Sequence, residues 1–459
     1  MKNNIDEVLK SQEIFFNNGN TLKIEDRIKK LQLLAKEIES AEDQICAALY
    51  SDFKKPVFES VLSETAFILS ELQYIVKKLK KWARPKKVSS SLINFPSSDY
   101  IYSEPYGKCL IIAPWNYPFQ LAISPIMGAI AAGNTVVLKP SELTPNTSKI
   151  LEELLQKVFP ADWVSVIQGG VEVSQELLTK KWDYVFFTGS VSVGKIVAQA
   201  IAPHLTPSTL ELGGKSPCII HKSAKVQLAA KRIVWGKFLN AGQTCIAPDY
   251  ILIDSSIKKE FIDAVQKEVK SAYGTNPKDS PDFARIINEK NFDRLSKMLI
   301  AEMCPIGGHL DKEQLYMAPT LIEEPALTSK VMEDEIFGPI LPVLSFYSEE
   351  QMAGIMANYS KPLALYVFSE DRKYSEEILG KYSFGGGAIN DVVIQIANKK
   401  MPFGGVGSSG SGAYHGKHSF DTFSHKKSIT KRGTWLDVPL RYAPYGNKVG
   451  LISKIMKKL

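Results

Sequence analysis

The stretch CLIIAP, residues 109–114, is a short β-branched run that ends at a proline. Four runs of the same kind follow it: TVVLKP (135–140), VSVIQGG (164–170), YVFFTGS (184–190) and STLELGG (208–214). Stretches with helical character, such as LAISPIMGAIAAG, lie between them. This alternation predicts a parallel sheet that is covered by helices on both faces. Ligands bind such sheets at the carboxyl ends of the strands.

The flanking regions differ from this pattern. Apolar residues at helical spacing predict helices over residues 1–82, and short alternating runs over 84–107 predict a protruding hairpin. A second alternation of strands and helices begins at PCIIH (217–221) and continues to about residue 400. The run KKSITKRG (426–433) predicts a lone strand that pairs with the hairpin. The fold class is therefore α/β, with two parallel-sheet units and a small β element.

Composition excludes several classes of protein. The 459 residues contain no apolar run long enough to span a bilayer, and the polar N-terminus lacks the apolar core of a signal peptide. The net charge of +7 is spread out, so no nucleic-acid partner is expected. The cysteines are scattered and form no CxxC pair, which predicts neither disulfides nor a metal site and favours a cytoplasmic location. They are Cys46, Cys109, Cys218, Cys245 and Cys304.

Two segments at predicted strand ends could bind an anionic cofactor. The segment from Gly189 through Ser190 to Gly194 opens a helix, where backbone N–H groups suit a phosphate. Its spacing matches neither GxGxxG nor the phosphate loop, so a simple strand-to-helix turn remains an alternative. Lys139 and Glu142 follow the preceding strand, and Glu142 could accept a hydrogen bond from a ribose 2′-hydroxyl. Alternatively, Glu142 merely begins the next helix.

Three residues could carry chemistry. Cys245 lies in KFLNAGQTCIAPDY (237–250), where a helix gives way to a turn, so its thiol is presented rather than packed. Glu211 ends an apolar strand, and burial there would raise its pKa as a general base requires. An ion pair with Lys215 is the alternative. Asn116 could donate to an oxyanion, or it could be only a turn residue.

Taken together, these segments resemble the aldehyde dehydrogenase superfamily over roughly residues 1–440. The resemblance rests on seven strings in that family's order: APWNYP, VLKPSE, FTGS, LELGGKSP, NAGQTC, EIFGP and MPFGGVGSSG. The strings KPLALYVF (361–368) and GAYHGKHSFDTFSHKKS (412–428) resemble the class 3 branch, whose members are typically dimers that act on medium- to long-chain or aromatic aldehydes.

The resemblance implies a role for each matching residue. Cys245 would add to an aldehyde carbon, while Asn116 and the Cys245 N–H hold the oxyanion. Hydride would pass to NAD, or possibly NADP, and Glu211 would activate water to hydrolyse the thioester. The implied cofactor residues are Trp115, Lys139, Glu142, Gly189, Ser190, Gly194, Glu335 and Phe337. Tyr117 and Trp235 match positions that line the class 3 aldehyde tunnel, although Trp235 could be a core residue instead.

The resemblance also implies the domain organisation. The expected units are a Rossmann-like dinucleotide-binding domain (1–85 and 105–209), a catalytic domain (210–425), bridging strands that form a homodimer contact (86–104 and 426–440) and a C-terminal tail (441–459). In the tail, Ile452, Ile455, Met456 and Leu459 share one helical face. That face would either touch a membrane surface peripherally or pack on the protein itself.

Three other functions remain to be distinguished. A cysteine acyl-transfer enzyme would need an activating base, and no histidine motif lies beside Cys245 in the sequence. A variant that releases the acyl group to coenzyme A would not need Glu211. A protein that kept the fold and lost its activity would leave Cys245 unreactive towards electrophiles.

Overall fold

The computed structural model describes residues 5–91, 94–300, 302–437 and 439–457, together with every side chain in these ranges except that of Ile455. The predicted α/β class is confirmed: among the described residues, two six-stranded sheets are surrounded by helices, with a separate three-stranded sheet and a two-stranded sheet of Leu310–Asp311 and Tyr316–Met317. The α-helices are Ile5–Asn17, Ile24–Ser40, Glu42–Phe53, Val57–Ser60, Ala66–Trp82, Gln120–Ala132, Pro145–Val158, Val171–Leu178, Val191–Ile201, Val226–Phe238, Lys258–Tyr273, Glu289–Ser296, Lys330–Glu333, Glu349–Met356, Arg372–Lys381, Lys417–Thr422 and Lys448–Met456.

The first sheet contains all five strands predicted from CLIIAP outward. In spatial order it runs Gly410–Ser411, Ser208–Glu211, Tyr184–Thr188, Lys108–Ile112, Thr135–Lys139 and Val164–Val166. Neighbouring strands are parallel, except that Gly410–Ser411 pairs antiparallel with Ser208–Glu211. That short edge strand comes from a segment far along the chain, which local sequence patterns do not reveal.

Both faces of this sheet are buried, as the apolar runs predict. Successive residues of one strand enter different cores: Ile111 joins the larger core and Leu110 the smaller one. Residues of Gln120–Ala132 and Pro145–Val158 pack in the larger core. The smaller core takes residues from Ile5–Asn17 and Val191–Ile201. Because side chains alternate along a strand, a doubly covered sheet needs an unbroken apolar run, which the sequence supplies.

The second sheet is entirely parallel and starts immediately after the first. Its spatial order is Thr320–Glu323, Ile340–Phe346, Tyr250–Asp254, Pro217–Ile220, Ala364–Phe368 and Gly386–Ile389. Only the segment 212–216 joins the end of Ser208–Glu211 to the start of Pro217–Ile220. The carboxyl edge of the first sheet is thereby brought close to the amino edge of the second.

The third sheet is the predicted β element. Lys86–Val88 pairs antiparallel with Ser97–Pro105, which pairs in turn with Ser424–Arg432 over nine residues. The predicted lone strand therefore does pair with the hairpin. Residues 92, 93 and 438 of the predicted bridging strands lie outside the described residues.

The tail forms the helix Lys448–Met456, whose apolar side chains are exposed to solvent. Val449 is 71% exposed, and Leu451, Ile452 and Met456 are exposed as well. The expectation that this helix packs on the protein's own surface is therefore wrong for these residues, while the Ile455 side chain and Leu459 lie outside the described part. Throughout that described part, every helix is too short or too polar to cross a bilayer.

Candidate active site

A cavity of about 720 Å³ lies where the two parallel sheets meet. Residues that follow strands of the first sheet line one side, including Asn116, Ser190 and Glu211. Residues that precede strands of the second sheet line the other side, including Cys245 and Glu335. The volume is in the range of cofactor and small-molecule sites.

A left-handed turn places Cys245 in this cavity. The helix Val226–Phe238 ends there, and Asn240, Ala241 and Gly242 follow with φ of 56°, 52° and 73°. A side chain at Gly242 could not be accommodated, because a Cβ atom would lie 2.2 Å from the Gly338 carbonyl oxygen. The turn redirects the chain, and the Cys245 side chain is partly exposed on the cavity wall.

Asn116 is tied to the same turn. Its Nδ2 donates to the Gln243 carbonyl at 3.0 Å, and its own carbonyl accepts from Asn240 Nδ2 at 2.8 Å. The Gln243 side chain is fixed at both ends: its Nε2 donates to the Arg285 carbonyl and its Oε1 accepts from the Ile287 N–H. Because an amide nitrogen has two hydrogens, Asn116 retains a second donor for a ligand in the cavity.

Glu211 is a buried carboxylate, and neither of its side-chain oxygens has a hydrogen-bond partner among the described residues. The alternative of an ion pair with Lys215 is excluded, because Lys215 Nζ lies 2.7 Å from Asp249 Oδ2 instead. Burial raises the pKa of Glu211 well above its ordinary value. A carboxylate in this state readily accepts a proton.

Burial also raises the pKa of the Cys245 thiol, and the Glu335 and Glu211 carboxylates raise it further. In the protein alone, the thiol is therefore the favoured form. Deprotonation needs either positive charge brought by a ligand or a nearby proton acceptor. Glu211 lines the same cavity and is such an acceptor.

The segment Glu335–Phe337 is held against the opposite wall. Asp249 Oδ1 accepts from the Ile336 N–H at 2.9 Å, and Arg294 Nη2 donates to the Ile336 carbonyl at 2.7 Å. The Phe337 ring meets Trp115 edge-on, with the centroids 5.3 Å apart. Burial, with a smaller contribution from Asp249, raises the pKa of Glu335 to about 8.

The wall facing Glu335 consists of glycine. A Cβ atom on Gly213 would lie 1.9 Å from Glu335 Oε2, so only glycine permits this approach. Ser190 caps the helix Val191–Ile201 and accepts from the Val193 N–H, and the first residues of this helix line the cavity. Helix starts, glycine walls and carboxylates able to bind ribose hydroxyls together suit a dinucleotide.

Not all predicted cofactor residues line the cavity. Lys139 is buried and its Nζ lies 2.7 Å from Glu142 Oε2, so the two act as a pair. Gly194 is buried, and a Cβ atom there would lie 2.6 Å from Leu212 Cδ2. Trp115, Gly189, Ser190, Glu335 and Phe337 are brought together in the cavity, whereas Lys139, Glu142 and Gly194 lie outside its lining.

The two predicted substrate residues lie outside the cavity lining as well. Tyr117 is buried, its hydroxyl lies 2.6 Å from Thr244 Oγ1, and its ring centroid lies 3.9 Å from Lys55 Nζ. Trp235 lies on Val226–Phe238 and is 39% exposed. Their contact with a substrate remains a prediction.

Sequence reasoning missed two polar residues that lie just before strands of the second sheet. Asp249, directly before Tyr250–Asp254, anchors both Lys215 and Ile336, and Lys361 before Ala364–Phe368 lines the cavity. The missed signal was a polar residue beside a proline just before an apolar run, as in Pro248–Asp249 and Lys361–Pro362.

Comparison with known proteins identifies the family. The model of the aldehyde dehydrogenase family matches residues 2–429. The chain belongs to the aldehyde dehydrogenase family. It is therefore an oxidoreductase that acts on aldehydes with NAD or NADP as cofactor.

Individual members of the family are similar over almost the whole chain. A 4,4′-diaponeurosporen-aldehyde dehydrogenase of Staphylococcus aureus is 46% identical, over 99% of this chain and 100% of the relative. The dimeric NADP-preferring aldehyde dehydrogenase of Canis lupus familiaris is 41% identical, over 96% and 98%. The solved substrate-bound state of Staphylococcus aureus AldH has a TM-score of 0.97 and 45% identity, covering 99% of this chain and 100% of that structure.

Proposed function

We propose that this aldehyde dehydrogenase oxidises a medium- to long-chain aliphatic or aromatic aldehyde to the carboxylic acid through a thioester on Cys245. One observation carries the proposal: the Cys245 thiol and the unpartnered Glu211 carboxylate line one cavity. A nucleophile and a base that share a cavity allow both acylation and hydrolysis to occur at one place.

Each residue has a defined task in this scheme. Glu211, directly or through water, takes the thiol proton, and the sulfur adds to the aldehyde carbon to give a thiohemiacetal. The second Asn116 Nδ2 hydrogen and the Cys245 N–H hold the resulting oxyanion, and one such donor contributes about 3 kcal/mol. NAD or NADP, which Gly189, Ser190 and Glu335 would hold in the cavity, would supply the acceptor for the hydride that leaves that carbon. Once the thiol proton has passed from Glu211 to solvent, Glu211 removes a proton from water. The hydroxide formed attacks the thioester, the C–S bond breaks, and the acid and the Cys245 thiolate are released.

Glu142 influences whether the protein prefers NAD or NADP. Glu142 is exposed and could accept from a ribose 2′-hydroxyl, and its charge opposes a 2′-phosphate. Its ion pair with Lys139 offsets part of that charge. We therefore propose NAD as the principal cofactor and NADP as an accepted alternative.

Two properties of the relatives support the substrate class and the assembly. The Staphylococcus aureus relative is named for 4,4′-diaponeurosporen-aldehyde, and the canine relative is named as dimeric. We propose that this chain also acts on an apolar aldehyde and forms a homodimer through the three-stranded sheet. The exposed apolar residues of Lys448–Met456, together with Lys454, support peripheral contact with a membrane surface.

An aldehyde panel tests the proposed activity. The panel varies chain length and aromaticity, and each aldehyde is assayed by reduced-cofactor absorbance with NAD⁺ and with NADP⁺. We expect the highest kcat/KM for medium- to long-chain or aromatic aldehydes with NAD⁺. Absorbance that does not rise with any aldehyde, combined with ester hydrolysis in the absence of cofactor, would favour a cysteine acyl-transfer enzyme instead. A requirement for coenzyme A would favour the acyl-transferring variant.

A further inference from the structure

Glu59 makes a contact that the proposed chemistry does not use directly. It lies on the four-residue helix Val57–Ser60, is buried, and accepts the Asn240 N–H on its Oε2 at 2.9 Å. The two residues are 181 positions apart in the sequence. The hydrogen bond therefore connects the helical N-terminal region to the turn that precedes Cys245.

That turn needs support from outside itself. Asn240 and Ala241 both have left-handed backbone conformations, which cost a residue with a side chain about 1 kcal/mol or more each. The Asn240 N–H lies just after the helix Val226–Phe238 ends and is buried. Loss of its acceptor would leave a buried donor unpaired, which is costly.

Asn240 also contacts Asn116 and the segment that leads to Cys245. Its Nδ2 donates to the Asn116 carbonyl at 2.8 Å and to the Gln243 carbonyl at 3.3 Å. Asn116 Nδ2 donates to that same Gln243 carbonyl. A change in the orientation of Asn240 would therefore shift the oxyanion donor and the segment that carries the nucleophile.

We infer that Glu59 is a positioning residue: by holding the Asn240 N–H, it fixes the left-handed turn that presents Cys245 and orients Asn116. This inference rests on the proposed role of Cys245. Glu59 is not among the residues that line the cavity.

The acceptor atom, rather than the charge, is what the turn requires. Burial raises the pKa of Glu59 to about 7, and the protonated carboxyl group still has an oxygen that accepts. A glutamine amide oxygen can replace it, whereas a methionine of similar size cannot. An aspartate keeps the charge but is one methylene shorter and does not reach Asn240.

Three variants test this inference: Glu59→Gln, Glu59→Met and Glu59→Asp. Two rates are measured, kcat and the rate at which iodoacetamide alkylates the Cys245 peptide, which is followed by mass spectrometry. We expect Glu59→Gln to stay within about threefold of wild type in both rates. Glu59→Met and Glu59→Asp should lose about tenfold or more in both, with the dissociation constant of NAD⁺ within about twofold of wild type.

Glu324→Met is the control: Glu324, just after the strand Thr320–Glu323, also accepts a backbone N–H, from Ser345, although it is exposed and pairs with Lys258. It should change neither rate. Wild-type rates in Glu59→Met and Glu59→Asp, or a loss in Glu59→Gln as large as in Glu59→Met, would overturn the inference. Because alkylation requires no turnover, a failure of the proposed function would appear separately, as aldehyde oxidation that persists in Cys245→Ala. If Glu59→Met does not fold, Glu59→Asp carries the test.

Discussion

At the scale of single residues, the thiol of Cys245 is opposed by two carboxylates. Glu335 and Glu211 both raise its pKa, and burial raises it more than either. The thiolate fraction is therefore small in the cofactor-free protein, and alkylation of Cys245 there should be slow but measurable. In the proposed mechanism, the positive charge of a bound cofactor or a proton acceptor such as Glu211 would raise that fraction, so no histidine partner is required.

Removal of the Glu335 charge should make Cys245 more reactive, in a pH-dependent way. Glu335 has a pKa of about 8, so it is mostly neutral below that pH and mostly ionised above it. Glu335→Gln should therefore alkylate at the wild-type rate near pH 7, and roughly threefold to tenfold faster near pH 9. Iodoacetamide labelling of the cofactor-free protein at both pH values measures this. If Glu335→Gln and wild type alkylate at the same rate as each other at both pH values, the carboxylate does not act on the thiol.

Sequence reasoning predicts which residues lie at strand ends but not which side chains they pair with. Glu211 was predicted from its position at a strand end, and the structure shows it buried and unpaired. Whether Lys215 would pair with it was undecidable from the sequence, because the actual partner, Asp249, is 34 residues further along the chain. Pairing over such separations depends on tertiary packing that local patterns do not encode.

At the scale of elements, the turn over residues 240–242 requires glycine at position 242. Gly242 combines a left-handed φ with backbone contact to Gly338. Gly242→Ala should therefore destabilise the protein by about 1–3 kcal/mol and slow alkylation of Cys245. Denaturant unfolding and iodoacetamide labelling measure the two effects.

The control variant Gly274→Ala separates the effect of the contact with Gly338 from the effect of backbone strain. Gly274 has a similar φ of 79°, but no atom lies within 4 Å of its would-be Cβ. It should cost only the left-handed strain and leave the alkylation rate unchanged. If Gly242→Ala behaves no differently from Gly274→Ala, contact with Gly338 does not position the nucleophile.

The sequence predicts the strands better than it predicts which edge of each sheet faces the cavity. The five apolar runs of the first sheet are strands because continuous β-branched sequence suits a doubly covered parallel sheet. The rule about carboxyl ends located Asn116 and Glu211, but Asp249 and Lys361 come from amino ends of the second sheet. The second sheet turns the amino edge of its strands towards the cavity. Only the arrangement of the two sheets reveals this.

At the scale of the whole molecule, the cavity exists because two sheets share one short connection. The segment 212–216 carries Gly213 and Lys215, which contact the Glu335–Phe337 region of the second unit. The proposed catalytic residues Glu211 and Cys245 thus come from segments next to different sheets. The proposed domain boundary at residue 209 falls inside the strand Ser208–Glu211, and its exact place stays a prediction.

The exposed helix Lys448–Met456 predicts binding to anionic membranes. The protein should sediment with vesicles that contain phosphatidylserine at low salt and be released at high salt. A triple variant, Val449→Ser, Leu451→Ser and Ile452→Ser, should bind about tenfold more weakly. Val171→Ser removes an exposed apolar residue elsewhere and should bind like wild type. Wild-type protein that stays in the supernatant at low salt would contradict this prediction.

The most direct test of the central claim is the mass of Glu211→Gln after mixing with aldehyde and NAD⁺. Bound NAD⁺ brings positive charge that also favours the Cys245 thiolate, so this variant should still be acylated, although more slowly than wild type. It should form one equivalent of reduced cofactor and accumulate an acyl group on the Cys245 peptide, and its later turnover should fall by about 10²–10⁴ because it lacks the base for water. Cys245→Ala should show neither the reduced cofactor nor the acyl group. Wild-type turnover by Glu211→Gln, or an acyl group attached to any other residue, would contradict the account.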